Sequence, residues 1–372
     1  FQYPRSMCAF ITESAWPSHA TLSRSVQHRS WIEGIHCHNL SYVLANLYRL
    51  GWTKDNTNFV GMSVAPFLMP PLPELIAGAD GHGHVRIFDF DVTGSQEWVN
   101  CARTNVCWDM QLHSCQGIPH CLSFTPDGQT LAVTQCPTFH VLAVDSRPRA
   151  SSKQWDLWNG INISVHRLTF SPDGNRLALG WREGGLWVLE VEGGLWLDLK
   201  VALIVDVNIG EDIEDLVFSA DGEFVVVLDF SGKLWRVNLA SDCEPEFFAS
   251  KITAAAYSPI EDTLVAGTSD ACLHFIDMAR NLNSQKITLD RKVTCVTFSP
   301  NGSNIATGNQ RGDLKIIDAK STLTTQKLKL EAWNPEGRFN IGHIKYAPHG
   351  FKLLVGSEKM SQLYLIEVET GM

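Results

Sequence analysis

The segment from Cys101 to Cys121 holds Cys101, Cys107, His113, Cys115, His120 and Cys121, residue types that can ligate a transition metal. Structural zinc sites draw their thiolates in close C-x2-C pairs. Here the spacing is C-x5-C-x7-C-x5-C. That pattern reads as buried thiols, and His36-Cys37-His38 reads the same way. Gly78-Ala79-Asp80-Gly81-His82-Gly83 is glycine-rich but leads into no helical pattern, so it reads as a turn and not a ligand loop. Arg311-Gly312-Asp313 likewise reads as a β-turn. No phosphate loop, HExxH, GxSxG elbow or EF-hand loop occurs, and no Asp–His pair is spaced for acid–base work. No metal or cofactor is expected. A site gathered from several distant segments would leave no such spacing in the sequence.

The balance of the chain narrows the partners. Its 372 residues are 44% hydrophobic, enough for a large core, and its formal net charge is −10. Binding to a nucleic-acid backbone needs clustered cations, so no nucleic acid is expected. No apolar run is long enough to span a membrane. Ten scattered cysteines suit reduced thiols in a cytoplasmic protein, with a nuclear location left open. The chain starts at Phe1, which leaves open a piece excised from a longer parent.

What such a chain must build is written in a recurring phrase. LTFSPDGNRLAL at 168–179 is echoed by LVFSADGEFVVV at 216–227 and VTFSPNGSNIAT at 296–307. Alternating apolar residues, a Ser-Pro-Asp-Gly turn and a second apolar run make a β-hairpin. Aligned on the aromatic before the turn, the copies are anchored at Phe124, Phe170, Phe218, Tyr257, Phe298 and Tyr346. An apolar residue lies seven positions after each anchor, and 20 or 21 positions after it comes Asp145, Glu190, Asn238, Asp277, Asp318 or Glu367. A seventh copy over Met62–Asp89 fits with an insertion at Phe67–Pro73. Fourth strands are expected at Gly194–Val205, Glu246–Ala249, Gln285–Leu289 and Gln326–Leu330. A four-stranded sheet of this kind cannot bury both faces alone, and radial stacking solves that.

The phrases FTPDG, FSPDG, FSADG and FSPNG, with the acidic residue closing each third strand, resemble the WD-repeat family over roughly residues 58–370. The Trp-Asp dipeptide of that family is replaced here by FD, VD, LE, VN, ID, ID and IE, and its Gly-His is missing. The family's buried Asp–His–Ser–Trp network is therefore expected to be incomplete. The resemblance implies an all-β chain: a seven-bladed β-propeller of four-stranded antiparallel blades over 58–372, with a short, partly helical N-terminal segment over 1–57. That segment is the source of a strand to close the last blade, with Ser6–Thr12 and Trp31–His36 as candidates. Asn39–Leu50 carries Leu40, Val43, Leu44, Leu47 and Leu50 at helical spacing.

The resemblance also implies a non-enzymatic scaffold that binds other proteins or peptides. Its alternatives are a regulatory module of a larger signalling protein, held to further domains of that parent, and a propeller hydrolase or lyase with its site at the central channel. In the family, one face of the disc, made by the loops entering the first strands and the turns between second and third strands, receives partners. Candidate contacts there are His120, His166 and Glu214 before the anchors, and Trp181, Arg182 and Phe230 after them. Trp181 has packing across its own blade as its alternative. Glu211, Asp212, Glu214 and Asp215 would steer a basic segment, or simply form a solvated loop.

Overall fold

A computed structural model describes residues 119–135, 165–191, 201–240, 243–280, 282–329 and 340–347, residues 350 and 368, and the further strands named below. Among the described residues the strands form seven four-stranded antiparallel sheets, and the only helical stretch is a 3₁₀ turn at Arg182–Gly184. The first sheet is β2 (Phe59–Val64), β3 (Leu75–Asp80), β4 (His84–Asp89) and β5 (Val106–Gln111). The next is β6 (Pro119–Phe124), β7 (Thr130–Gln135), β8 (Thr138–Ala143) and β9 (Ser152–Trp155). Then come β10 (Val165–Phe170), β11 (Arg176–Trp181), β12 (Gly185–Val191) and β13 (Val201–Asn208), followed by β14 (Ile213–Phe218), β15 (Phe224–Asp229), β16 (Leu234–Asn238) and β17 (Glu246–Ala249). The fifth holds β18 (Ile252–Tyr257), β19 (Thr263–Thr268), β20 (Cys272–Asp277) and β21 (Leu282–Thr288). The sixth holds β22 (Val293–Phe298), β23 (Asn304–Asn309), β24 (Asp313–Asp318) and β25 (Thr324–Lys329). The last joins β26 (Ile341–Tyr346), β27 (Lys352–Ser357) and β28 (Met360–Glu367) to β1 (Leu47–Gly51).

Burial follows the period of the sequence. In β10, Val165, Leu168 and Phe170 are buried while His166, Arg167 and Thr169 are half-buried. In β11 the run Leu177-Ala178-Leu179 is buried on both faces, as a strand covered by sheets on either side must be. The apolar clusters cross from sheet to sheet. Ala178, Leu186 and Val188 pack with Ile213, Leu216 and Phe218, and Ala254, Ala256 and Val265 pack with Val293, Val296 and Ile305. Gly180, Gly267 and Gly308 hold one register in their second strands; a Cβ on them would lie 2.7, 2.5 and 2.6 Å from Ile213, Val293 and Ile341 of the following sheet. First strands touch in series, β2 with β6, β10, β14, β18, β22 and β26 each meeting the next, and β26 also meets β2.

The repeated phrase is a buried hydroxyl turn. Ser171 is buried; its Oγ accepts from the Arg176 amide at 2.9 Å and donates to Asp173 Oδ1 at 2.5 Å. Burial alone would raise the Asp173 carboxyl, but the Ser171 hydroxyl and the Asn175 amide outweigh it and hold the group below its ordinary range. Thr125 with Asp127, Ser219 with Asp221 and Ser299 with Asn301 repeat the device. Gly174 closes the turn at φ 76°, where a side chain is strained. Ser171→Ala leaves the Arg176 amide without its side-chain acceptor and should cost about 2 kcal/mol, read as a lower urea midpoint with unchanged slope.

The helix expected over Asn39–Leu50 is corrected at its end: Leu47–Leu50 lie in β1, paired antiparallel to β28 with Leu47 opposite Ile366 and Leu50 opposite Leu363. Leu spacing suits a helix, but the open edge of β28 offers backbone partners that only an extended chain can meet. Ser6–Thr12, Trp31–His36 and the start of that helix lie outside the described residues. The fourth strands fall at β13, β17, β21 and β25, within a few residues of expectation except that β13 begins at Val201 and not at Gly194.

Candidate functional site

One side of the sheets carries the turns between second and third strands and the loops entering the first strands. Short backbone bonds lace these into a rim. Ile209 N–H donates to Gly184 O at 2.9 Å, and Phe230 N–H to Asp212 O at 2.8 Å. Ile252 N–H donates to Gly232 O at 2.9 Å, Ser269 N–H to Lys251 O at 3.0 Å, and Leu289 N–H to Ala271 O at 2.7 Å. The Asp212 carboxylate also accepts from the Glu183 amide at 2.8 Å. Asp212 thus bridges the Trp181–Gly184 turn to the Phe230 turn of the next sheet.

Phe230 is 76% exposed, the most open large apolar side chain among the described residues. Its turn is rigid because Asp229 beneath it is buried and fully used. Asp229 accepts from Trp235 Nε1 at 2.8 Å, Ser231 Oγ at 2.7 Å and the Lys233 amide at 2.9 Å. Burial would raise its carboxyl, yet the Trp235, Ser231 and Lys233 hydrogen bonds and the Lys233 charge hold it low. Arg182 is exposed on the neighbouring turn. Trp181 behaves differently: its ring is half-buried over Gly185, where a Cβ would lie 2.0 Å away, and meets Trp187 edge-on at 5.2 Å. Its packing within its own sheet is what the geometry displays.

His120, His166 and Glu214 were expected where the first strands begin. Each stands one residue inside, at a bulge that recurs in all seven first strands among the described residues. A bulge re-aims its side chains. His166 is half-buried, and Glu214 Oε1 lies 3.6 Å from Arg167 Nη2. Glu214 follows Ile213, which pairs with Asp229, and so lies beside the Phe230 turn, whereas His120 and His166 stand on the first strands of the two preceding sheets. Residues at and beside these bulges stitch sheet to sheet. Arg167 Nε donates to Glu214 O, Thr253 Oγ1 to Val293 O at 2.7 Å and Thr294 Oγ1 to Ile341 O at 2.5 Å. The Cys121 thiol reaches Leu168 O at 3.7 Å and Cys295 reaches Ile341 O at 3.5 Å. Sequence reasoning missed these staples, although a polar residue recurring three or four places before the anchor was their signal.

On the inner strands Cys121 lies within electrostatic reach of Arg167, Asp215 and Lys345, and His343 within reach of Arg167 and Lys345. Burial pushes the Cys121 thiol up, so it stays protonated. His343 is pulled down to about 4 by burial, with Arg167 and Lys345 adding to the effect. A protonated thiol is a weak nucleophile, and an imidazole with so low a value is a weak base at neutral pH. Among the described residues, no group of three or more His, Cys, Asp or Glu is placed to hold a metal, and no helix is long and apolar enough to cross a membrane. Cys101, His113 and Cys115 lie outside the described residues.

A WD40 family model, described as WD domain, G-beta repeat, matches residues 283–318. Those residues run through β21 to β24, ending on Asp318, so the matched unit is the outer strand of one sheet followed by three strands of the next. The chain fits the WD-repeat family. No curated protein matches the chain. WD-repeat domains generally hold other proteins and are typically non-enzymatic. Among the described residues the indole partners are local: Trp235 bonds Asp229, and Trp187 Nε1 bonds Asp206 Oδ1 at 2.8 Å.

Proposed function

We propose that the chain is a closed seven-bladed propeller acting as a non-enzymatic scaffold, and that it takes a protein or peptide partner on the rim around Phe230 and Arg182. The contact of β26 with β2 and the pairing of β1 with β28 support closure. The carrying observation is Phe230, an open aromatic ring on a turn already fixed by Asp229. A rigid aromatic anchor loses little entropy on docking, and such anchors dominate interface energies.

The test begins with proteins captured on the intact chain from native extract and identified. Phe230→Ala is then expected to weaken the purified complex by about 2 kcal/mol, roughly thirtyfold in Kd, and Arg182→Ala by less. Trp181 is left intact, because its removal would unpack Gly185 and Trp187. Unchanged affinity in both variants would remove the rim from consideration.

A further inference from the structure

The rim changes sign along its length. Around Phe230 it is acidic: Glu183, Asp206 and Glu211 are exposed, with Asp212 and Glu214 half-buried beside them. On the next two sheets it is basic. Lys251, Lys286, Arg291, Lys292, Arg311 and Lys327 are all exposed. They sit on the loops entering β18 and β22, on the turn between β23 and β24, and on the upper parts of β21 and β25. The laced backbone bonds from Gly184 through Lys251 to Leu289 put both arcs on one continuous side.

We propose that the partner segment accepted here is bipolar, a peptide with a carboxylate-rich stretch on the basic arc and an apolar-cationic end beside Phe230. This rests on the rim being the partner face and names the chemistry of the partner. Charge complementarity argues for it. In a chain of net charge −10, a cationic arc is a local exception that attracts carboxylates. Two resident carboxylates stand in this arc with cations around them. Asp270 is held below its ordinary range by the Thr268 hydroxyl, then by Lys286 and Lys251. Asp290 is held low by Lys315, whose Nζ donates to it at 2.7 Å, then by Lys327 and Arg291. A nucleic acid fits worse, since a strand of phosphates following the rim would run onto Glu183 and Glu211. Opposite signs at the two ends also fix the direction in which a peptide lies, which a uniform patch cannot do.

The probe is a labelled peptide with a run of glutamates, a Gly-Ser spacer and a Leu-Lys-Lys end, titrated with the full chain by fluorescence anisotropy. Arg291→Glu with Arg311→Glu should weaken it about tenfold and flatten its salt dependence. Lys251→Glu with Lys292→Glu is the second pair, with circular dichroism reporting the fold of each. A scrambled peptide of the same composition should bind more weakly than the blocked one. Equal binding of the two peptides, unchanged affinity in both charge-reversed pairs, or displacement by duplex DNA more readily than by unlabelled peptide would overturn the inference. Failure of the rim itself is read separately, from Phe230→Ala on the captured partner.

Discussion

Gly184→Ala is expected to lower stability by about 3–4 kcal/mol, because this buried turn glycine has no room for a side chain. Gly184 sits at φ 81°, a conformation that costs an L-residue about 1–2 kcal/mol. A Cβ there would also lie 2.5 Å from Gly210 N and 2.7 Å from Glu211 N. Those are backbone atoms, so no rotamer change relieves the clash, and overpacking adds about 1–3 kcal/mol. Gly210 is the control. Its φ is 84°, but nothing lies within 4 Å of its Cβ position, so Gly210→Ala should cost only the conformational part, about 1–2 kcal/mol. Urea unfolding of the two variants separates the terms; equal losses would mean that the close approach of the two loops carries no energy. The same substitution should push the Glu183 amide from Asp212 and weaken partner binding at Phe230 even where the chain still folds.

The turn signals made the sheets legible. Pro, Asp and Gly at fixed offsets from an aromatic anchor say where a hairpin reverses, and alternating apolar residues say which side is inside. The buried hydroxyl of Ser171 escaped notice because Ser before Pro-Asp-Gly is explained by turn chemistry alone, without any need for burial. β1 was misread for a different reason. Leu47 and Leu50 are three apart, a helical spacing, and their strand state depends on β28, more than 300 residues away in the chain. Such a partner leaves no local mark. The place of Phe230 on the turn between β15 and β16 was legible from its position in the repeat, but Trp181 needed the placement of Gly185 and Trp187 to show where its ring goes. His120, His166 and Glu214 were one residue from where they were expected, because a bulge adds a residue without changing the apolar pattern around it.

Asp229→Ala should cost about 3 kcal/mol or more at neutral pH, because three donors lose their acceptor at a buried position: Trp235 Nε1, Ser231 Oγ and the Lys233 amide. Asp229→Asn is no rescue. Oδ1 takes the Ser231 and Lys233 bonds and Oδ2 the Trp235 bond, so an amide nitrogen would face a donor at one of the two sites. The pH dependence gives the test its sign. The folded carboxyl titrates below its ordinary value of 3.8, so as pH falls the unfolded chain takes up this proton first. Stability from Asp229 is therefore complete above that value and is lost as pH drops through the folded one. His343, lowered from 6.5 to about 4, also disfavours the folded state as pH falls below its ordinary value, but it does so in wild type and variant alike and cancels in their difference. The gap between wild type and Asp229→Ala should thus be flat from neutral down to about pH 4 and narrow below it. Urea midpoints followed by tryptophan fluorescence measure this. A gap that stays constant into acid would mean that the carboxylate charge contributes nothing and that the loss came from packing. The turn carrying Phe230 would then be held by shape alone, and its rigidity would no longer depend on an ionised acid beneath it.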